Sequence, residues 1–111
     1  MKYQSGSLKA TMLTSGFLSI LFSAVSVLAH SPLCDCFLND DESITCEGGF
    51  SDGSSAEGID IRVVDDSGRV LLAGKMDAKS QYTFTAPQEE YHVVFDAGEN
   101  HSVTIYQEDI E

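Results

Sequence analysis

The sequence predicts an all-β protein, a small antiparallel β-sandwich that follows an N-terminal signal peptide. From Ile44 onward, apolar residues alternate with polar ones, and turn residues recur about every ten positions, which is typical of sandwich strands. The first 29 residues differ, because they hold two lysines, a long apolar run and no acidic residue. We therefore divide the chain into a signal peptide (1–29), a cysteine-containing arm (30–42) and a β-sandwich domain (43–111).

The first segment has the three parts of a secretory signal. Lys2 and Lys9 make its start positive, an apolar run extends from Met12 to Leu28, and Ala29 is a small residue at the cleavage position. A retained membrane anchor is the alternative, but a stable span usually needs about 20 apolar residues and this run is short and rich in serine. We expect cleavage after Ala29, a periplasmic or otherwise extracytoplasmic location, and no transmembrane helix in the mature chain.

The charge balance excludes some partners. The whole chain has 6 basic and 18 acidic residues, and removal of the two leader lysines leaves 4 against 18, a net charge of −14. Such an acidic surface repels nucleic acid and anionic lipid, whereas it attracts cations. The 82 residues from position 30 onward are enough for one small domain with a modest core.

The strands are predicted from their alternation and the turns from their glycine, aspartate and serine residues. The predicted strands lie at 44–46, 59–63, 69–74, 82–84, 91–95 and 103–105. Turns are predicted at 65–68 and 77–80. The segment from Gly48 to Gly58 is rich in glycine, serine and acidic residues, and we predict that it is a loop.

Three cysteines lie near the start of the mature chain. Cys34 and Cys36 are too close together to bridge comfortably, so a single disulfide would join one of them to Cys46 and leave one thiol free. Small exported domains often use such a staple. A thiolate metal site and redox chemistry are the alternatives, although Cys-x-Cys is a weaker redox signal than Cys-x-x-Cys.

The histidines are candidate metal ligands. Cleavage after Ala29 would make His30 the first residue, and its α-amine, with a pKa of about 8, could close a chelate ring with its own Nδ1. The alternative is that His30 belongs to a frayed arm. His101 follows a strand in the turn 98–101, where it is either a presented ligand or an ordinary surface residue. His92 alternates with apolar neighbours, so we predict that it faces solvent.

The candidate metal ligands are His30, His101, Cys34 and Cys36. An amine, imidazoles and thiolates favour nickel, cobalt, copper or zinc over calcium or magnesium. Asp35 or Asp96 could add an oxygen. The chain has no glycine-rich phosphate loop, no nucleophile elbow and no His-Glu-x-x-His helix, so we predict a non-enzyme with no catalytic residues.

Three stretches taken together resemble a known family. They are FSDGSSAEG, GKMD and YHVVFDAGENH, at 50–58, 74–77 and 91–101. In order and spacing they resemble the motifs Phe-x-Asp-Gly-x-x-Ala-x-Gly, Gly-x-x-Asp and Tyr-x-Val-x-x-Asp-Ala-Gly of small extracytoplasmic domains that accompany energy-coupling-factor-type nickel and cobalt transporters. Those domains look like carboxypeptidase-regulatory, immunoglobulin-like or transthyretin-like sandwiches. The resemblance covers about 49–105.

The resemblance implies a function and two of the candidate residues. It implies a periplasmic accessory protein that captures or delivers nickel or cobalt beside components of a membrane metal transporter. It points to His30 because relatives tend to begin with a histidine after the signal peptide, and to His101 because a histidine follows their Tyr-x-Val-x-x-Asp-Ala-Gly motif. The alternative is a non-catalytic structural or protein-interaction module with a stapling disulfide. A third hypothesis is a thiol-redox accessory.

Overall fold

The computed structural model describes residues 30–111, so the predicted signal peptide lies outside the described residues. These residues form seven strands and a short 3-10 helix. The strands are β1 (Pro32–Leu38), β2 (Ser43–Phe50), β3 (Asp60–Asp65), β4 (Val70–Lys75), β5 (Gln81–Thr85), β6 (Tyr91–Asp96) and β7 (Ser102–Tyr106), and the helix is Gln107–Asp109. Within this part of the chain, no helix is long and apolar enough to cross a membrane.

The strands form two antiparallel sheets that pack face to face. One sheet has the order β1-β2-β5 and the other has the order β4-β3-β6-β7. Alternate residues of each strand point inward, as a period of two requires. The predicted small antiparallel β-sandwich is therefore confirmed.

The core lies between the sheets and is built mainly from the predicted apolar alternation. Val93 and Phe95 of β6 are fully buried, and Ile61 and Val63 of β3 lie beside them in the same sheet. The opposite sheet contributes Ile44, Cys36, Cys46 and Phe84. Burial of these side chains is the main favourable term in the folding of so small a domain.

The N-terminal arm and the predicted loop both contribute strand residues. The arm 30–42 contains β1, in which Cys34 and Cys36 face the core while Asp35 faces outward. The loop predicted from Gly48 begins later, because β2 continues to Phe50. The prediction of a loop at 48–50 was wrong.

Gly48 lies within β2, where close packing and not a turn requires a glycine. A Cβ at Gly48 would lie 2.7 Å from Cε1 of Phe95 and 3.1 Å from Cε of Met76. A glycine inside a strand commonly marks such a close approach. Composition alone therefore made a core position look like a loop.

The predicted turns are present, and aspartates stabilise them. Asp65 Oδ1 accepts hydrogen bonds from the backbone N–H groups of Ser67 and Arg69, both at 2.9 Å. Asp77 Oδ1 accepts from the N–H groups of Lys79 at 2.8 Å and Gln81 at 3.0 Å. This use of aspartate is the usual physical basis of its preference for turns.

Both candidate histidine ligands lie at one end of the sandwich. Pro32, at the start of β1, pairs with Phe50 at the end of β2. The ring of Phe50 lies 6.3 Å from that of Phe95, near the end of β6, and β6 leads directly into the turn that carries His101. We call this end, formed by 30–31, 51–59, 76–80 and 97–101, the histidine end.

Candidate functional site

His30 contacts an aspartate at the histidine end. Its Nδ1 lies 2.7 Å from Oδ2 of Asp52, and the imidazole is largely exposed. The loop after β2 carries Asp52, and its backbone is tied to the residue after His30, because Ser51 N–H donates to the Ser31 carbonyl at 2.9 Å. Backbone pairing therefore places His30 beside this aspartate.

Asp52 is held in its ionised form by the next turn. Ser54 donates to Asp52 Oδ1 from its hydroxyl at 2.7 Å and from its backbone N–H at 3.0 Å. These two bonds, followed by the charge of His30, lower the pKa of Asp52 below its ordinary value. Oδ1 is thus occupied by the turn, while Oδ2 faces the imidazole.

His101 is positioned by its own turn. Its Nδ1 lies 2.8 Å from the carbonyl oxygen of Glu99, and its backbone N–H donates to the Gly98 carbonyl at 2.9 Å. Gly98 and Asn100 have positive φ values of 117° and 63°, which shape this tight turn. The turn leaves Nε2 of His101 as the ring nitrogen directed away from Glu99.

The remaining oxygen candidates have other contacts. Asp96 Oδ2 pairs with Nη1 of Arg62 at 3.0 Å, and Asp96 Oδ1 accepts from the N–H of Gly98 at 3.0 Å. Asp35 Oδ1 accepts from the N–H of Cys36 at 3.1 Å. Among residues 30–111, no group of three or more histidine, cysteine or acidic side chains is arranged to hold a metal ion.

The cysteines divide into a disulfide and one half-buried thiol. Cys36 and Cys46 are bonded, so Cys36 is not a thiolate ligand while that bond is intact. Cys34 carries the free thiol. Burial, together with the charge of Asp35, raises the pKa of Cys34 to about 12. At neutral pH this thiol is protonated, which disfavours both thiolate ligation and nucleophilic redox chemistry.

His92 lies away from the histidine end. It is on the outer face of β6, as predicted, with its ring 5.9 Å from that of Tyr106. The residue that the sequence analysis did not single out is Asp52, although it lies within the Phe-x-Asp-Gly motif. The sequence Asp52-Gly53-Ser54 is typical of a turn in which the aspartate carboxylate accepts hydrogen bonds from the residue two positions later, and this pattern could have identified Asp52.

The described residues thus define a small, disulfide-bonded antiparallel β-sandwich with an imidazole–carboxylate pair at one end. The chain matches no protein-family model, no curated protein and no solved structure.

Proposed function

We propose that the protein is a periplasmic accessory protein that binds nickel or cobalt at the histidine end, for capture or delivery beside a membrane metal transporter. The observation that supports this proposal is the 2.7 Å separation of His30 Nδ1 and Asp52 Oδ2. Metal–donor bonds of about 2.0–2.2 Å allow one cation to bind two donor atoms at such a separation.

Cleavage after Ala29 would supply the third donor. The new α-amine of His30 has an ordinary pKa of about 8, so it loses its proton near neutral pH at small cost. The amine and Nδ1 would chelate the ion, and Asp52 Oδ2 would neutralise part of its charge. Because Ser54 keeps Asp52 ionised, the carboxylate is ready to bind without first losing a proton.

His101 is a supplementary ligand in this proposal. It lies at the same end of the sandwich, but its Nδ1 is turned to Glu99, so only Nε2 is offered. The net charge of −14 raises the local concentration of divalent cations around the whole domain. A site with so few protein donors suits transient capture rather than permanent storage.

The direct test is calorimetric titration with NiCl2 and with CoCl2. The protein is expressed with its own leader, purified from the periplasm, and its first residue is identified by mass spectrometry. We expect binding with a dissociation constant in the micromolar range, and both His30→Ala and Asp52→Asn should weaken it by about tenfold or more.

Two controls sharpen this test. A protein that retains Ala29 keeps the imidazole of His30 but displaces the free amine, so it should also bind more weakly. His92→Ala removes a histidine outside the site and should leave affinity unchanged. Binding no tighter than millimolar, or equal in the His30→Ala variant, would show that the proposal is wrong.

A second candidate function is a non-catalytic interaction module, and the Cys36–Cys46 disulfide favours it. That bond joins the edge strand β1 of the smaller sheet to its neighbour β2. It therefore stabilises the sheet surface that a partner would contact. A protein of this kind should bind its partner with undiminished affinity in metal-free buffer that contains a chelator. This candidate further predicts loss of the interaction when the disulfide is reduced.

A further inference from the structure

We propose that the outer face of the smaller sheet is a docking surface for an extended, basic segment of another protein. We call this surface the β1 face, and it consists of Leu33, Asp35 and Phe37 of β1 with Glu47 of β2. The inference rests on the second of the two functions proposed above. It does not involve the His30–Asp52 pair, so a failure of metal binding leaves it intact.

The register of β1 and β2 places two carboxylates side by side. Asp35 lies directly opposite Glu47, and both side chains are exposed on the outer face. Like charges at directly opposed positions of neighbouring strands are destabilising. The chain tolerates this repulsion at the position next to the Cys36–Cys46 pair, where the disulfide holds the two strands together.

The described chain supplies no cation to this pair. Glu47 Oε2 accepts a hydrogen bond from Nε2 of Gln81 at 2.7 Å, which is a neutral partner. None of the four lysine and arginine side chains in residues 30–111 forms an ion pair with Asp35 or Glu47. Arg62 pairs with Asp96, Arg69 with Asp65 and Glu89, and Lys75 with Asp60, whereas Lys79 forms no ion pair within these residues. A basic group from outside would therefore relieve the repulsion between Asp35 and Glu47.

Exposed apolar side chains flank the acidic pair. Leu33 is 53% exposed and Phe37 is 37% exposed, and they lie two residues on either side of Asp35 on the same face of β1. Exposed apolar side chains grouped in this way are typical of interaction sites. The apolar–acidic–apolar order fits an extended segment that carries an apolar, a basic and an apolar side chain at every second residue, because residues i, i+2 and i+4 of a strand share one face.

A groove beside these residues gives room for the partner. It has a volume of about 600 Å³, and its lining includes Leu33, Asp35, Glu47, Gly49 and Ser54. Gly49 leaves the floor open, since a Cβ at this position would meet nothing closer than the Ser54 carbonyl oxygen at 3.8 Å. The groove can thus accept a side chain or the edge of a peptide backbone.

Charge selects the class of partner. A second copy of residues 30–111 would carry the same net charge of −14, and two β1 faces in contact would bring four carboxylates together. A basic segment brings the opposite charge, and it aligns its apolar side chains with Leu33 and Phe37. Complementary charge of this kind sets specificity and association rate.

The test uses nuclear magnetic resonance titration of the isotopically labelled mature protein. The probe is the blocked peptide acetyl-Val-Thr-Lys-Thr-Val-Thr-Lys-amide, which in an extended conformation carries Val, Lys and Val in turn on one face, and the matched probe carries Glu in place of Lys. We expect saturable shifts of the amide signals of 33–37 and 45–49 with the lysine peptide only. The dissociation constant should rise at least about fivefold in Asp35→Asn/Glu47→Gln, and again when the salt concentration is raised tenfold from about 50 mM.

The matched control removes the same two charges elsewhere. Asp66→Asn/Glu90→Gln changes two acidic residues outside the β1 face, one in the β3–β4 turn and one just before β6. This variant should leave the affinity unchanged. Leu33→Ala/Phe37→Ala tests the apolar contribution and should also weaken binding. Equal weakening by both charge variants, shifts centred outside the β1 face, no binding at millimolar peptide, or a dimer of the free protein that covers the face would each overturn the proposal.

Discussion

Cys36 and Cys46 lie directly opposite each other in the β1–β2 ladder, with their Cα atoms 4.0 Å apart and their sulfurs bonded in the core. Both residues are almost completely buried, so the bond is part of the packing between the sheets. It connects the N-terminal strand, which has a neighbour on only one side of its sheet, to the next strand along the chain.

Loss of this disulfide should destabilise the domain substantially. The bond closes a short loop, with a sequence separation of 10 residues, and such a loop corresponds to about 2–3 kcal/mol of stabilisation in the chain-entropy model. We expect Cys36→Ala/Cys46→Ala to lower the free energy of unfolding, measured by urea denaturation, by about that amount or more. Cys34→Ala, which keeps the bond, is the control, and equal stability of the double variant and the wild type would contradict the prediction.

Gly48→Ala should destabilise the domain by overpacking. Its Cβ would lie 2.7 Å from the ring of Phe95, which is fully buried and cannot move freely. We expect a loss of about 1–3 kcal/mol in the free energy of unfolding, measured by chemical denaturation. Gly49→Ala is the matched control, because its nearest neighbour is 3.8 Å away; a loss as large as that of Gly48→Ala would show that packing against Phe95 is not the cause.

Cys34 should react slowly with alkylating reagents in the folded protein. Because burial and Asp35 raise its pKa to about 12, very little thiolate is present at pH 8. We expect iodoacetamide to modify it roughly 100-fold more slowly than in the urea-unfolded chain, after allowance for the greater nucleophilicity of a high-pKa thiol. Mass spectrometry follows the reaction, and similar rates in the two states would contradict the prediction.

Asp65 should make the domain less stable in acid. The Ser67 hydroxyl and the Arg69 backbone N–H, in that order, hold the pKa of Asp65 well below its usual range. A carboxyl with a lowered folded-state pKa contributes stability above its unfolded pKa of about 4, and this contribution is lost as the pH falls through the folded value. We expect the melting temperature of Asp65→Asn to fall less steeply than that of the wild type as the pH is lowered below about 4. Asp40→Asn, which changes an aspartate in another turn, should leave the wild-type decline unchanged.

Glu90 should show the opposite dependence on pH. A hydrogen bond with Asp66, followed by the Asp66 charge, raises the pKa of Glu90. Its favourable contribution is present below the unfolded pKa and is lost as the pH rises through the folded value, because both carboxylates are then ionised. We expect Glu90→Gln to raise the melting temperature at pH 7 but not at pH 4. Glu89→Gln is the control and should not raise it, since Glu89 pairs with Arg69 at 2.8 Å.

The strands and turns were largely predictable from local patterns. Tyr91, Val93 and Phe95 alternate in the sequence and are all buried, because a strand with one face on the core has a period of two. The turn at Asp65 was predictable because its side chain accepts from backbone N–H groups only a few residues away. The same local reasoning failed at Gly48, whose reason for being glycine is the ring of Phe95, 47 residues further along the chain.

The candidate site was predictable only in part. His30 and the two possible partners of Cys46 were visible in the sequence, whereas the choice of Cys36 over Cys34 required the β1–β2 register. That register turns Cys36 directly towards Cys46 and places Cys34 opposite Gly48. The pairing of Asp52 with His30 depends in the same way on the contact between the end of β2 and the start of β1.

The sequence by itself determined the class of fold, the acidic charge and the residues available as metal or disulfide partners. Alternation and turn chemistry act over a few residues, so they can be read directly from the order of side chains. Only the tertiary structure decided that Cys36 is bonded, that Cys34 is a high-pKa thiol, that His30 meets Asp52, and that Asp35 stands beside Glu47. Each of these depends on strand register and sheet packing, which bring together residues distant in the chain.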